Sequence, residues 1–412
     1  MIIKKEKITL FFWVFLIVFC IQTTDLKIGF VKISEIILLL IAPFFLLKPI
    51  NKYLAYFFLF FTVNLFVSLI VTSTLDFHNL GLSKIKAPYI ISIARYLELV
   101  TCIVVSLVTL KLLKEYPYRK TLNTIVNVNI YITIVYVLID VLVLMRIIPQ
   151  DNSIVVYEYF RLRGLYFEGG PFGLMLSFIF ILTFFEEKTK TQIIKRIFLL
   201  FVIVFLAKSK AGIMLSLVWI LIYYYELIIA KVKIYKFQVI VLFVCIFYLT
   251  FVKVNSMYFK ETNIIRTSIK ERPSDPYLIL GRVSGLYIVP VIVKQYPVLG
   301  IGIGNYPLLR NNKEIRKFFP LPPKEMIDID SHGLGGIVDV LVDMGLVGLL
   351  IFLSIIYLLY KDISRKKERG KILIFTFLCL FMFGVQLCFL YPWIFLGIIL
   401  AYKNNYINEI SN

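Results

Sequence analysis

Histidine occurs twice and cysteine five times in the 412 residues of this chain. Two isolated histidines with no Cys/His cluster do not make a zinc site, so no metal is expected. Cys20, Cys102, Cys245, Cys379 and Cys388 all fall within or at the ends of apolar stretches. None has CxxC spacing, which excludes a disulfide framework or a thiol redox motif. The chain also lacks a low-complexity tract, an obvious internal repeat and a dinucleotide fingerprint, and no cofactor is expected. Charge is sparse too, with 17% of residues charged. What fills the sequence instead is apolar: 60% is hydrophobic and the mean hydropathy is +0.88. Those values lie well outside the soluble globular range and imply an integral membrane protein.

Apolar runs long enough to span about 30 Å of hydrocarbon recur throughout. Twelve helices are expected, at roughly 8–24, 31–47, 53–73, 89–113, 122–148, 171–185, 197–208, 211–230, 237–253, 333–359, 371–388 and 390–402. The fold class is therefore all-α and polytopic. Residues 1–253 hold nine spans with short loops, 254–332 one large outer loop, and 333–412 the last three spans and a short tail. The opening "MIIKKEK" has the charge of a signal peptide, but no small-x-small cleavage pattern follows, so an uncleaved first helix is expected.

Basic residues set the orientation. With the N-terminus inside, the inner connections hold Lys4, Lys5 and Lys7, Lys48 and Lys52, Lys111, Lys114, Arg119 and Lys120, and a dense run from Lys361 to Lys371. The short outer connections are poorer, with Lys27 and Lys32, Lys84 and Lys86, Arg161 and Arg163, and Lys208 and Lys210. This positive-inside bias places both termini in the cytoplasm. The large outer loop carries eleven basic residues against seven acids. Long loops translocate regardless of charge, and a basic outer surface suits phosphates or acidic lipid heads rather than nucleic acid.

Four outer segments carry chemistry. "RLRGLYFEGGPFG", residues 161–173, combines Arg161, Arg163 and Glu168 with a Gly-Gly-Pro helix start. "AKSKAGI", residues 207–213, is a tight turn with Lys208 and Lys210. "LGRVSGLYIVPVIVKQYPVLGIGIGNY", residues 280–306, has a helix carrying Arg282 and then Gly300, Gly302 and Gly304 before Asn305. Such glycines let backbone amides approach an anion. "DSHGLGGIVDVLVDMGLVGLL", residues 330–350, opens on His332 and carries Asp339 and Asp343 into an apolar run. At about 100° per residue, offsets of seven and eleven bring both aspartates under His332, provided the helix begins there, with Gly336 on the same side. In the fourth span, Arg95 and Glu98 sit three apart and are expected to pair.

The order of these pieces resembles the superfamily of O-antigen polymerases and O-antigen ligases, the Wzy-like and WaaL-like membrane glycosyltransferases, over residues 160–355. The shared features are the Arg-Gly and Pro stretch, the Ser-basic-Ala-Gly turn, the Arg…Pro-x-x-Gly-x-Gly-x-Gly-Asn segment and the His before a Gly-bearing helix. "KSK" departs from the Ser-Arg common in the family, and "HGLGG" from the His-Asn of ligases. "FEGGPFG" is closer to the Glu-Pro-Ser pattern of polymerases, which tilts the resemblance that way.

The resemblance implies a bacterial cytoplasmic-membrane enzyme whose active site lies on the outer face. It would polymerise undecaprenyl-diphosphate-linked repeat units of O-antigen, capsule or exopolysaccharide without a metal. Membrane lipids and a chain-length regulator protein are the implied partners. His332 becomes the general base, and Arg282 and Arg163 the cations at the leaving diphosphate. Arg161, Glu168, Lys208, Lys210, Arg266, Gly302, Gly304 and Asn305 line the substrate, with Asp339 and Asp343 supporting His332. A ligase of the same superfamily, a polysaccharide-lipid flippase and a purely structural scaffold are the alternatives. Single cysteines placed at 282 and 332 are expected to react with a membrane-impermeant maleimide from outside intact cells; labelling only after permeabilisation overturns the orientation and the site together.

Overall fold

The computed structural model describes residues 2–28, 31–75, 87–149, 154–157, 161–185, 191–224, 271, 282–316, 334–364, 368–382 and 384–403. Among these the chain is mostly helical, and eleven of the twelve expected apolar runs coincide with helices, with ends shifted by up to about seven residues. The helices are α1 (Ile2–Gln22), α2 (Ile33–Leu46), α3 (Lys52–Thr74), α4 (Pro88–Glu115), α5 (Tyr118–Leu144) and α6 (Gly169–Leu182). There follow α7 (Thr191–Phe201), α8 (Lys210–Tyr223), α9 (Arg282–Gln295), α10 (Gly336–Ser364), α11 (Glu368–Met382) and α12 (Leu390–Lys403). Two one-turn helices, Tyr306–Leu309 and Lys313–Arg316, lie between α9 and α10. The span expected over 237–253 and most of the large loop, including Arg266 and His332, lie outside the described residues.

Among the described residues, four helices are long and apolar enough to cross a membrane: Lys52–Thr74, Pro88–Glu115, Tyr118–Leu144 and Gly336–Ile363. Six shorter apolar helices accompany them. The outward surface bears large apolar side chains such as Leu47, 87% exposed, and Leu40 and Phe44, each 71% exposed. Patches of that kind are rare on proteins that face water.

Three local features depart from the sequence reading. The helix expected at 31–47 starts at Ile33, because Val31–Lys32 pairs antiparallel with Lys27–Ile28. A second small hairpin pairs Val156–Tyr157 with Arg161–Leu162, so the fold is not purely helical. The short span expected at 197–208 is α7 continued by a π-turn at Val202–Leu206. There the Ala207 amide donates to the Val202 carbonyl at 2.8 Å, and Lys208 is left at φ +50.

Helix α4 is the hub, packing on α1, α2, α3, α5 and, most extensively, α12. Every residue of α12 from Leu390 to Tyr402 is buried. The crossing is close because Gly397 has no side chain: a Cβ there would stand 2.7 Å from the Ser106 carbonyl oxygen. Ser106 Oγ donates to the Trp393 carbonyl at 2.7 Å across the same contact. Small residues also set the α6–α8 crossing. A Cβ on Gly212 would meet the Gly173 carbonyl at 2.6 Å, while Ser177 Oγ donates to the Gly212 carbonyl at 2.8 Å. Close backbone approach through Gly and Ser is how helices associate where water gives no hydrophobic push.

Helix α10 is not continuous, although its apolar run reads as one span. Gly345 sits at φ 67, ψ −170, outside helical geometry. The backbone groups freed by the break are taken up by the chain at 297–302. Ile301 N donates to the Val342 carbonyl at 3.0 Å and Gly302 N to the Asp343 carbonyl at 2.8 Å. In return, Leu346 N donates to the Pro297 carbonyl at 2.9 Å and Val347 N to the Val298 carbonyl at 3.2 Å. Buried backbone polar groups have to be paired, and here a crossing loop pairs them. No side chain fits at the crossing: a Cβ on Gly345 would lie 2.2 Å from the Val298 carbonyl oxygen. Gly345→Val is therefore expected to lower the detergent-solubilised protein's stability by about 3 kcal/mol or more. Gly170→Ala, at a site with nothing within 4 Å of the new methyl, should leave it unchanged. Thermal unfolding of the two variants reads the difference, and equal melting overturns this account of the break.

A candidate site of buried charges

The crossing loop positions a small polar cavity of about 50 Å³. It is lined by Arg95 and Glu98 of α4, Gly304 and Tyr306 of the loop, Asp339 and Asp343 of α10, and Cys388. A space of that size holds a few ordered waters. Arg95 Nη1 lies 2.7 Å from Glu98 Oε1, as the spacing in α4 predicted. The Gly335 amide donates to Asp339 Oδ1 at 2.8 Å, and Asp343 stands two residues before the helix break. Arg95 interacts electrostatically with both aspartates.

Behind Glu98 the network continues to a lysine that the sequence reading assigned to an outer connection. Lys32 is 1% exposed, with its Nζ 2.9 Å from Glu35 Oε1, 3.7 Å from Glu98 Oε2 and 3.4 Å from Cys388 Sγ. Lys32 is buried because the hairpin of Lys27–Ile28 and Val31–Lys32 turns it back toward α2 and α4. Its position has no helical or strand periodicity to betray it.

On the loop side, Arg310 and Arg316 are buried side by side, 5% and 2% exposed. Arg316 Nη1 donates to the Arg310 carbonyl at 3.1 Å. Burial, and then the neighbouring Arg310 charge, push the Arg316 pKa down to about 10, which still leaves it a cation at neutral pH. Tyr306 interacts electrostatically with both arginines and with Asp339 and Asp343, so it lies near both sets of charges. Burial pushes its phenol up. A second apolar core holds this arrangement: Ile288 and Ile292 of α9 pack with Ile301, Tyr306, Leu309, Ile315 and Val342. Lys32, Arg95, Arg310 and Arg316 stand in this region with Glu35, Glu98, Asp339 and Asp343. Neither Arg310 nor Arg316 stood out in the sequence, where they read as two more basic residues of a basic loop.

The four sequence segments form two units. In one, Arg161 Nη2 donates to the Ala207 carbonyl at 3.3 Å and to the Lys208 carbonyl at 3.5 Å. Ser209 Oγ donates to the Gly170 carbonyl at 2.9 Å and caps α8 by accepting from Gly212 N at 3.1 Å. Arg163 Nε donates to the Ile154 carbonyl at 2.8 Å, and its Nη1 to the Phe167 carbonyl at 3.3 Å. Both arginines thus clamp turn carbonyls. Glu168 is the residue before α6, and Lys210 is exposed at the start of α8. Asp25 ties this unit to the end of α1 by accepting from Phe167 N at 3.0 Å. Burial raises the Asp25 carboxyl above the ordinary range, although the Phe167 amide and Lys32 pull it back.

The other unit joins the glycine loop to α10, and it corrects the anion-nest reading. The amides of residues 301, 302, 303 and 305 donate to the Val342 carbonyl, the Asp343 carbonyl, Ser68 Oγ and the Gly302 carbonyl. The first two hold the broken helix, the third reaches α3 and the fourth closes the loop on itself; of the three glycines, Gly304 lines the cavity, beside Ile303. Asn305 is buried with its Nδ2 donating to Thr72 Oγ1 at 2.8 Å and the Ile301 carbonyl at 2.7 Å, which staples the loop to α3. The stripe through His332 is corrected as well. Helix α10 begins at Gly336, so only Asp339 and Asp343 share its face. Gly336 provides the expected close approach, but toward the end of α11, where a Cβ would sit 1.8 Å from the Phe381 carbonyl oxygen. Arg282 begins α9; His332 and Arg266 lie outside the described residues.

No protein-family model matches the chain, and no curated protein matches it.

Lys32→Met would leave Glu35 without its ammonium in a buried setting, and is expected to destabilise the protein by about 3–5 kcal/mol. The pair Lys32→Met with Glu35→Leu should recover part of that loss, since Glu98 retains Arg95. Chemical unfolding in micelles measures both. A single variant as stable as the parent means that the network is not a structural ion cluster.

Proposed function

We propose that this chain is a bacterial membrane polymerase of undecaprenyl-diphosphate-linked oligosaccharide repeat units, acting at the outer face of the cytoplasmic membrane with both termini inside. The observation that carries the reading is the pair of buried arginines, Arg310 and Arg316, near Tyr306, which also interacts with Asp339 and Asp343. Arg95 adds a third guanidinium from α4.

Fixed guanidiniums suit a diphosphate because their planar forks donate paired hydrogen bonds and stay charged. In this reading Arg310, Arg316 and Arg95 hold the leaving diphosphate in place of Arg282 and Arg163. The acceptor sugar's hydroxyl oxygen bonds to the anomeric carbon, the bond from that carbon to the diphosphate oxygen breaks, and the lipid diphosphate leaves with the electron pair. The hydroxyl proton goes to His332, which precedes α10 by four positions in the sequence. Stabilising the leaving charge with preorganised cations is the principal term, and the base adds about 10²–10⁴-fold.

Orientation is supported by distance along one helix. Arg95 and Lys111 lie sixteen residues apart on α4, about 24 Å. The charged cavity is therefore at one end of the bundle. The lysine-rich end is at the other, where Lys52 and Lys403 both pair with Asp362 Oδ2, at 2.9 and 3.0 Å.

A specific feature favours a second reading. A helix broken at Gly345 beside buried charges is the arrangement by which transporters bind their cargo, so a polysaccharide-lipid flippase is the rival. One preparation separates the readings: purified protein in proteoliposomes, given only a lipid-linked repeat unit. A ladder of oligomers is expected, reduced about 10- to 100-fold in Arg310→Ala and Arg316→Ala and further in His332→Ala. A product that appears only with a second acceptor means a ligase. Movement of labelled lipid with no new bond means a flippase.

A further inference from the structure

At the end of α4 remote from the charged cavity, a groove of about 880 Å³ opens between α1, the α2–α3 turn and α4. Its walls are apolar, with Trp13, Ile41, Phe44 and Leu107 among them, and its rim carries Lys48, Lys111 and Lys114 against one acid, Glu115. Lys111 is held in place on an aromatic floor: its Nζ is 5.1 Å from the centre of the Trp13 ring and 5.5 Å from that of Phe45. The two rings meet edge-on at 5.8 Å. Glu115 Oε1 reaches only to 4.0 Å from Lys111 Nζ, with the side chains 45% and 39% exposed, so this ion pair is too weak and too wet to neutralise Lys111.

The groove thus offers cations at one level and hydrocarbon at the next. A free anion would use the lysines alone and leave the apolar wall wet. Beside the groove, Leu40, Phe44 and Leu47 are among the most exposed apolar side chains of the protein, so the wall continues onto a surface suited to acyl chains. We propose that this groove binds an anionic glycerophospholipid, its phosphate diester among Lys48, Lys111 and Lys114 and one acyl chain against the wall of α2 and α4. Basic residues at the headgroup level favour anionic over zwitterionic lipid in this way. The site needs only a bilayer around the bundle, and it stands apart from any reading of the charged cavity.

Native mass spectrometry of the full-length protein, equilibrated with equimolar phosphatidylglycerol and phosphatidylcholine of identical chains, tests it. Preferential retention of phosphatidylglycerol is expected, falling about fivefold for each of Lys48→Gln, Lys111→Gln and Lys114→Gln. Lys313→Gln, an exposed lysine outside the groove, should leave the preference intact. Equal retention of the two lipids by the parent protein overturns the proposal without recourse to any variant. So does an unchanged preference in a well-behaved triple variant. Loss of phosphatidylglycerol on adding millimolar inorganic phosphate also overturns it, because the groove is then a phosphate site and not a lipid site.

Discussion

The structure turns on four backbone hydrogen bonds. Helix α10 breaks at Gly345, and residues 297–302 cross the break and satisfy the groups it frees. A break in a buried helix is otherwise prohibitive, and in hydrocarbon it is tolerated only where protein supplies the missing partners. The crossing works in both directions, two amides of the loop donating to α10 and two amides of α10 donating to the loop. Because Gly300 and Gly345 both lack side chains, the two backbones come close enough for these bonds. Once the crossing is made, the loop has only one place to go: Asn305 and Ile303 fasten it to α3 through Thr72 and Ser68. Tyr306 is thereby delivered to the cavity.

The charges follow from this constraint. Asp343 is the last acid before the break, and Asp339 is one turn earlier on the same face of α10. Arg95 and Glu98 come from α4, the helix with the largest set of neighbours, so they are held by packing from several sides. Arg310 and Arg316 come from the loop that made the crossing. Buried ion clusters contribute little net stability compared with apolar packing, but removing one member is strongly unfavourable. Such a cluster persists where its geometry has a use, and residues with strongly coupled charges in a recess mark a functional site.

Much of the framework was legible in the sequence because helices of this apolarity announce themselves by length. The expected ends of α3, α4 and α12 differ from the observed ones by no more than two residues. The Arg95–Glu98 pair was legible because its partners lie within one helical turn. The break at Gly345 was not: "DMGLVGLL" has the composition of an unbroken span, and the bonds that permit the break come from residues more than 40 positions earlier. The role of the glycine loop was inverted for the same reason. Glycines spaced by two suggest amides open to a ligand, and nothing in the loop itself says that those amides already have acceptors on another helix. Lys32 and the Arg310–Arg316 pair escaped because burial of a cation depends on what folds over it. The arginines of "RLRG" were noticed for their charge, whereas Arg161 and Arg163 use their forks on nearby carbonyls.

The enclosure of α12 has a consequence for biogenesis. Its main partner is α4, and Ser106 and Trp393, which join the two helices, are 287 positions apart. Contacts that distant along the chain form late and slowly. During synthesis the half of the bundle around α4 therefore waits with its small-residue face unoccupied, a groove shaped for one particular helix. A nascent chain in that condition is the form most exposed to quality-control proteases and to insertase partners, and its lifetime is set by how soon α12 leaves the ribosome.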